Sequence, residues 1–386
     1  MKVLQVYNAY QKTSGEDTVV EAEKMLLESK GHDVFQYLKR NEEIEHFSNL
    51  QKVSFALSLR GSKKTEAEFR ALLNEINPEI CHVHNVFSII TPIIFKICKA
   101  HNIPVVHTLH NYRLLCTNTL FYRNGHVCEV CIGKSLYNSI KYKCFRNSYL
   151  MTAIMADAIQ HHRKINTWDK FIDAYICLTP FAKEKYIQGG LPESMLYVKP
   201  NFVHPVTNEV VYDDFILFAG RLEPAKGIDD LIEIAKNNPE QKFVAIGHCE
   251  NPEIVSGLPN LEYLGQQDKS KVMEYMKRCK CLLFPSRWYE GMPMVILEAF
   301  AHQKLVIARN MGAMSGIIKH QQNGLLFNNL AELQDCIDKI NQNNNLCIEL
   351  GQQAYKDYMD NYSPEINYRI LNSIYQAVIQ KNATKL

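Results

Sequence analysis

The sequence has little of what marks a membrane, secreted or nucleic-acid-binding protein. No run reaches the roughly 18 consecutive apolar residues that a spanning helix needs, and Met1-Lys2-Val3-Leu4-Gln5 enters a strand pattern rather than a signal peptide. Neither sign of charge dominates: 43 basic residues against 41 acidic ones give no general attraction for nucleic acid, so any basic surface has to be local. Without an export signal, the 12 cysteines argue for thiols or a metal site rather than a disulfide framework. No Gly-x-Gly-x-x-Gly follows the first strand, which weighs against a dehydrogenase. Together these absences predict a cytoplasmic protein, at most peripheral on the inner face of a membrane.

The 386 residues, 46% of them apolar, are enough for two or three domains with a sizeable core in each. Short apolar runs alternate with helical patterns. Strands are expected at 2–7, 34–38, 77–84, 103–108, 175–179 and 195–199, and a helix over about 17–30 closed by Gly31. The polar stretch 200–214 reads as a hinge, after which strands restart at 215–219 and recur at 242–247, 261–265, 281–284, 305–308 and 323–327. The expected architecture is α/β, with two Rossmann-like domains of parallel strands facing a central cleft. Their bounds are 1–203 and 210–363, and a last helix within 364–386 returns onto the first domain.

One stretch draws the second half together. Phe284 to Ala301 runs from a strand end through Pro285-Ser286 and Glu290-Gly291 into a helical run that carries a second acid, Glu298. A glycine-containing loop feeding a helix presents backbone N–H groups and the positive end of the helix dipole to an anion. Backbone N–H groups of Gly291, Met292 and Met294 are available there, whereas Pro293 has none to give. Upstream, Gly220-Arg221 and Lys226-Gly227 follow another strand: Arg221 offers a fork of donors to phosphate oxygens and Lys226 a point charge. The plainer reading of Arg221 and Lys226 is a surface ion pair with Glu223 or Asp229.

Glu290 and Glu298, with seven residues between them, together with Gly220-Arg221, Lys226-Gly227 and His110, resemble the retaining glycosyltransferases of the GT4 type, with the two-domain GT-B fold. The resemblance runs in order along essentially the whole chain, as far as Gly324-Leu325-Leu326-Phe327. It implies that the first domain holds the acceptor and the second a nucleotide-sugar donor. Arg221 and Lys226 would lie on the diphosphate, Glu290 on donor-sugar hydroxyls, Glu298 on the ribose diol, and His110 against the donor sugar. Gly15 stands where the family has a glycine-rich turn near the donor phosphates, with one of the usual paired glycines. Gly247 stands at a turn close to the nucleoside, followed here by His248. No catalytic metal is implied, and the subtype resembles bacterial transferases that build capsule, O-antigen or exopolysaccharide on a lipid carrier. His84 has weaker support and reads as structural or near the acceptor.

Two further features stand outside that pattern. Cys116, Cys128, Cys131 and Cys144 supply one Cys-x-x-Cys pair and two outliers, the four thiolates a structural zinc needs; unligated thiols are the alternative. Between 134 and 170, Lys134, Lys141, Lys143, Arg146, His161, His162, Arg163 and Lys164 mix with Tyr137, Tyr142, Phe145, Tyr149 and Trp168. Such a face can rest on anionic lipid or a lipid-linked acceptor, or simply be a solvated helix face. Rival functions are a nucleotide-sugar epimerase of the same fold and a non-catalytic two-lobed sugar-binding protein.

Overall fold

The short aliphatic runs become the strands of two six-stranded sheets, parallel throughout, in a computed structural model that describes residues 1–9, 15–41, 58–87, 89–206 and 210–384. The chain divides into two compact units. The first comprises Met1–Leu120, Glu129–Pro200 and Asn367–Leu386, and the second Phe121–Cys128 and Asn201–Ile366.

In the first unit, β1 (Lys2–Ala9), α1 (Gly15–Ser29) and β2 (Asp33–Arg40) make the opening crossover. It continues through α2 (Lys63–Ile76), β3 (Ile80–Asn85), α3 (Ile93–Ala100) and β4 (Val105–Leu109). A hairpin of β5 (Tyr122–Arg123) and β6 (His126–Val127) interrupts the series and is grouped with the second unit. Its turn is an Asn-Gly pair: Asn124 and Gly125 both take positive φ, 51° and 84°, as a two-residue hairpin loop requires. After a 3-10 turn come α4 (Tyr149–Lys164), α5 (Thr167–Lys170), β7 (Ala174–Cys177), α6 (Pro180–Gln188) and β8 (Leu196–Val198). The strand order is β2-β1-β3-β4-β7-β8. Interior strands such as Ile80-Cys81-His82-Val83 are buried at every position, as a sheet covered on both faces demands.

The second unit holds β9 (Phe215–Ala219), α7 (Ile228–Asn237), β10 (Lys242–Ile246), β11 (Leu261–Tyr263), α8 (Lys269–Arg278) and β12 (Cys281–Phe284). Then follow α9 (Met294–Ala301), β13 (Leu305–Arg309), α10 (Met314–Ile317), β14 (Leu325–Phe327), α11 (Leu330–Gln342) and α12 (Asn344–Asn361). Its order, β11-β10-β9-β12-β13-β14, reverses direction between β9 and β12. In an open parallel sheet that switch point leaves a crevice at the carboxyl ends of the two strands, where ligands bind.

The last helix, α13 (Pro364–Ala383), buries Leu371, Ile374, Tyr375 and Val378 against Val3, Leu27, Ile80 and Val106 of the first unit. It thus covers one face of that sheet. No helix among the described residues is long and apolar enough to cross a membrane. Because Leu371 is fully buried, Leu371→Ala is expected to cost about 2–5 kcal/mol by lost transfer energy and cavity formation. Urea unfolding of the full chain checks this, and a cost under about 1 kcal/mol would show that α13 is not an integral layer of the core.

Candidate functional site

The second unit gathers its predicted residues at the switch point. Gly220-Arg221 leaves β9 and the Pro285–Glu290 loop leaves β12, the two strands that flank the reversal. Two glycines let the backbones close on one another. Gly227 has φ 79°, and a Cβ there would lie 2.3 Å from the Pro285 carbonyl oxygen; at Gly247, φ 150°, a Cβ would lie 1.8 Å from the Gly220 oxygen. A side chain at either position would push apart the loops that carry Arg221, Lys226 and Glu290. Further ties come from the Arg287 backbone N–H on the Ala225 carbonyl at 2.9 Å, and from its guanidinium, bidentate on Asp230 at 3.0 and 2.9 Å.

Glu290 lies in the loop, four residues before α9 begins, and its carboxylate is the hub of this arrangement. One oxygen, Oε1, accepts from Lys226 Nζ at 2.7 Å, from Ser286 Oγ at 2.7 Å and from the Trp288 indole N–H. No hydrogen bond to Oε2 occurs among the described residues, so a carboxylate pinned through one oxygen keeps the other for a further donor. Lys226 sits over the Trp288 ring, 4.8 Å from its centroid, which adds cation–π attraction. Arg221 is more than half exposed and pairs with Glu223 at 3.0 Å. An exposed pair of that kind contributes only about 0–1 kcal/mol, so a multiply charged anion can displace it.

Helix α9, Met-Val-Ile-Leu-Glu-Ala-Phe-Ala, is apolar on nearly every face, and Glu298 is its one ionisable residue. The carboxylate is buried and paired with Lys269 at the start of α8. Pro293 precedes the helix and no side chain caps it, so its first-turn amides are not consumed by a cap. Gly291 and Met294 are partly exposed at this entrance, whereas Met292 is buried, with its Sδ 3.1 Å from the Asn201 backbone nitrogen. Sequence reasoning passed over Ser286 and Trp288 as partners of Glu290 and Lys269 as partner of Glu298. The first two lay within the stretch it singled out, and a lone acid in an all-apolar helix is itself a signal that a cation is near.

In the first unit, Gly15 is the exposed first residue of α1, and residues 10–14 before it lie outside the described residues. His110 follows β4 and His84 lies near the end of β3; their rings stack, centroids 5.2 Å apart, with His84 Nδ1 3.0 Å from His110 Nε2. Behind them is a charged centre the sequence reading did not foresee. Glu23 is the one acid among the buried residues of α1, in a stripe otherwise made of Val19, Val20, Leu26 and Leu27. It meets Lys199 Nζ at 2.8 Å, His82 Nδ1 at 3.0 Å and His84 Nε2 at 3.3 Å. The signal was available: an acid inside an apolar helical stripe, and two histidines on one face of a buried strand.

Burial alone would raise the Glu23 carboxyl; Lys199, His82 and His84 beside it hold it well below the usual carboxylate range. Burial pushes His82 down to about 4, against the pull of Glu23, and His107 down to about 3. His110 is lowered too, first by burial and then by His84. Among the described residues, Glu23, His82 and His84 are the set whose ligand atoms come within 4.8 Å of one another, but the Lys199 ammonium already occupies the cation's place. No disulfide joins any of the twelve cysteines; Cys116 and Cys131 are buried, Cys128 and Cys144 partly so, and no three of these four bring their sulfurs within 4.8 Å of one another.

Comparison with known proteins bears on the fold and on the second unit. Both units have the GT-B type of parallel-sheet α/β fold, and residues 202–357 match the family model of Glycosyl transferases group 1; the second unit carries a group 1 glycosyltransferase domain. An uncharacterized 42.6 kDa protein in the cps region of Klebsiella pneumoniae is 26% identical over 288 residues, 72% of this chain and 68% of that one. An uncharacterized glycosyltransferase of Methanocaldococcus jannaschii is 32% identical over 205 residues, 50% of this chain and 56% of that one. The crystal structure of Anabaena HepE in complex with UDP-glucose superposes with a TM-score of 0.64 at 15% identity, covering 97% of this chain and 100% of that one. At that identity the likeness concerns the fold.

The buried histidines predict an acid-sensitive first unit. Their folded values lie below the ordinary value of 6.5, so the unfolded chain takes up protons that the folded one refuses. Stability should therefore fall as pH drops from about 6.5 toward 4, at about 1.4 kcal/mol per pH unit for each proton. The depressed Glu23 carboxyl adds a loss only at lower pH, as its own folded value is passed. Melting temperatures recorded from pH 7 to pH 4.5 test this, and a flat profile would contradict it.

Proposed function

We propose that the protein is a retaining glycosyltransferase that moves a hexose from a UDP- or GDP-linked sugar to an acceptor hydroxyl, on a lipid-linked glycan in capsule, O-antigen or exopolysaccharide synthesis. The observation that carries the reading is the convergence of Arg221, Lys226 and a half-satisfied Glu290 at the switch point of the second sheet, beside the uncapped start of α9. The group 1 match over those residues, the cps-region relative and the UDP-glucose-bound neighbour support it.

In this mechanism the bond between the anomeric carbon and the diphosphate oxygen breaks with its electron pair going to the diphosphate. The acceptor oxygen forms the new bond on the same face, and its proton passes to the leaving phosphate. Arg221, Lys226 and the amides of Gly291 and Met294 stabilise the charge that develops, without calling on a metal ion for that task. Glu290 Oε2 accepts from sugar hydroxyls, Glu298 takes the ribose diol in exchange for Lys269, Gly247 lets the nucleoside approach the backbone, and His110 meets the sugar. Gly15 lies at the phosphate side, at the start of α1. The acceptor falls to the first unit, where Tyr149 and Leu150 at the start of α4 are 56% and 69% exposed and Lys143 sits 4.7 Å from the Tyr149 ring centroid. A basic patch with exposed aromatic and aliphatic groups suits a lipid-linked acceptor at the cytoplasmic face of an anionic membrane.

Calorimetry with UDP, GDP and their hexose conjugates tests the donor assignment. Wild type should bind one nucleotide, and Glu298→Ala and Arg221→Ala should each weaken it tenfold or more, about 1.4 kcal/mol. A folded protein that binds none of them sinks the reading and favours a non-catalytic role. Cys116, Cys128, Cys131 and Cys144 are not gathered as a structural zinc requires, since no three of them bring their sulfurs within 4.8 Å of one another. Elemental analysis of the purified protein tests this, and about one zinc per chain would overturn it.

A further inference from the structure

The Glu23 centre has a direction. An ionised carboxylate can only accept, which favours hydrogen on the nitrogens that face it, His82 Nδ1 at 3.0 Å and His84 Nε2 at 3.3 Å; the His82 Nδ1–H is shared with the Tyr375 hydroxyl oxygen, 2.6 Å away. The His84 contact is off the line of a good hydrogen bond but close enough for charge to decide which nitrogen is protonated. With His82 neutral, its Nε2 is left as an acceptor, and the Thr108 hydroxyl stands 2.7 Å from it to donate. Lys199 already balances the Glu23 charge, and Asn367 Oδ1 of α13 accepts from its ammonium at 3.2 Å. The Glu23–Lys199 pair is thus net neutral without drawing on His84.

The consequence passes outward. If His84 carries its proton on Nε2, its Nδ1 is an acceptor, and the His110 nitrogen 3.0 Å away must donate to it. His110 is then the Nε2–H tautomer, with Nδ1 unprotonated and without a hydrogen-bond partner among the described residues. His84 and His110 line one small cavity with Asn85, Phe87 and Arg113, whereas Glu23 and Lys199 are sealed beneath it at 1% exposure each.

We propose that Glu23 and His84 are positioning residues for His110: the buried Glu23–Lys199 pair, acting through His84, fixes the His110 ring and presents its Nδ1 as a hydrogen-bond acceptor for a hydroxyl of the ligand. This rests on the reading above in which His110 touches the donor sugar. It assigns α1, the residue after β8 and α13, far from His110 in sequence, a part in setting one ring just beyond β4. Glu23→Gln is a poor test, because it strands the Lys199 ammonium and destabilises the fold itself.

The better test is the wild-type protein with 15N-labelled histidine, read by long-range proton–nitrogen spectra at pH 7.5 without any sugar. His110 should appear as one neutral tautomer, protonated on Nε2. His84→Leu should leave it a mixture of tautomers, and His84→Asn, whose side-chain oxygen can replace the acceptor, should restore the single form. In turnover, His84→Leu should lower kcat by roughly tenfold or more with little change in donor KM, and His84→Asn should recover part of it. A wild-type His110 protonated on Nδ1, or a folded His84→Leu protein with an unchanged single tautomer, overturns the proposal. The spectra decide it even if no transferase activity is found, so a wrong donor assignment and a wrong relay give different results.

Discussion

Parallel strand pairing is the constraint on which the rest of this molecule depends. Each strand must be followed by a crossover that returns the chain to the same end, so every strand in a sheet discharges its carboxyl end at one edge. The loops after β9, β10 and β12 are neighbours for that reason alone, although Arg221, Gly247 and Glu290 are spread over about seventy residues of sequence. The covering helices make the strands apolar at nearly every position, and the chemistry is left to the loop residues just beyond them. That Gly227 and Gly247 meet carbonyl oxygens where a Cβ would collide shows how closely these loops approach.

The charged groups at this edge follow one rule. Glu290 and Glu298 are carboxylates in places that would reject an unpaired charge, and each is answered by a lysine, Lys226 and Lys269. In both cases one carboxylate oxygen takes the lysine, and no hydrogen bond to the other occurs among the described residues. The site is thus built of groups that are satisfied enough to stay ordered and still hold acceptor capacity. Arg221, by contrast, is exposed and weakly committed to Glu223. Arg287 and Arg309 look equally suited to an anion in sequence, but both are spent on Asp230 and serve to hold the loops.

The centre of the first unit uses the same chemistry at greater depth. Glu23 of α1 and Lys199, the residue after β8, bury a full ion pair, which stabilises little by itself because desolvation offsets the attraction. What such a pair does well is fix geometry: around it His82, His84, Thr108 and Tyr375 take up a single pattern of donors and acceptors. The last helix closes that pattern, through Asn367 and Tyr375, while burying Leu371 and Ile374 in the sheet face.

The sequence by itself determined the alternation of strands and helices, the second-half motif from Arg221 to Glu298, and the position of His110 at a strand exit. These are local properties: apolar period, turn residues and short spacings along one chain. It did not reveal the Asn124-Gly125 hairpin's grouping with the second unit, the three donors on one oxygen of Glu290, or the pairing of Glu298 with Lys269. Nor did it reveal that Glu23 and Lys199, 176 residues apart, share one buried site. Those are contacts between residues distant along the chain. Only tertiary structure decides them, because a side chain's partner is set by how sheets and helices stack, and the charge of a buried group by which partner it finds there.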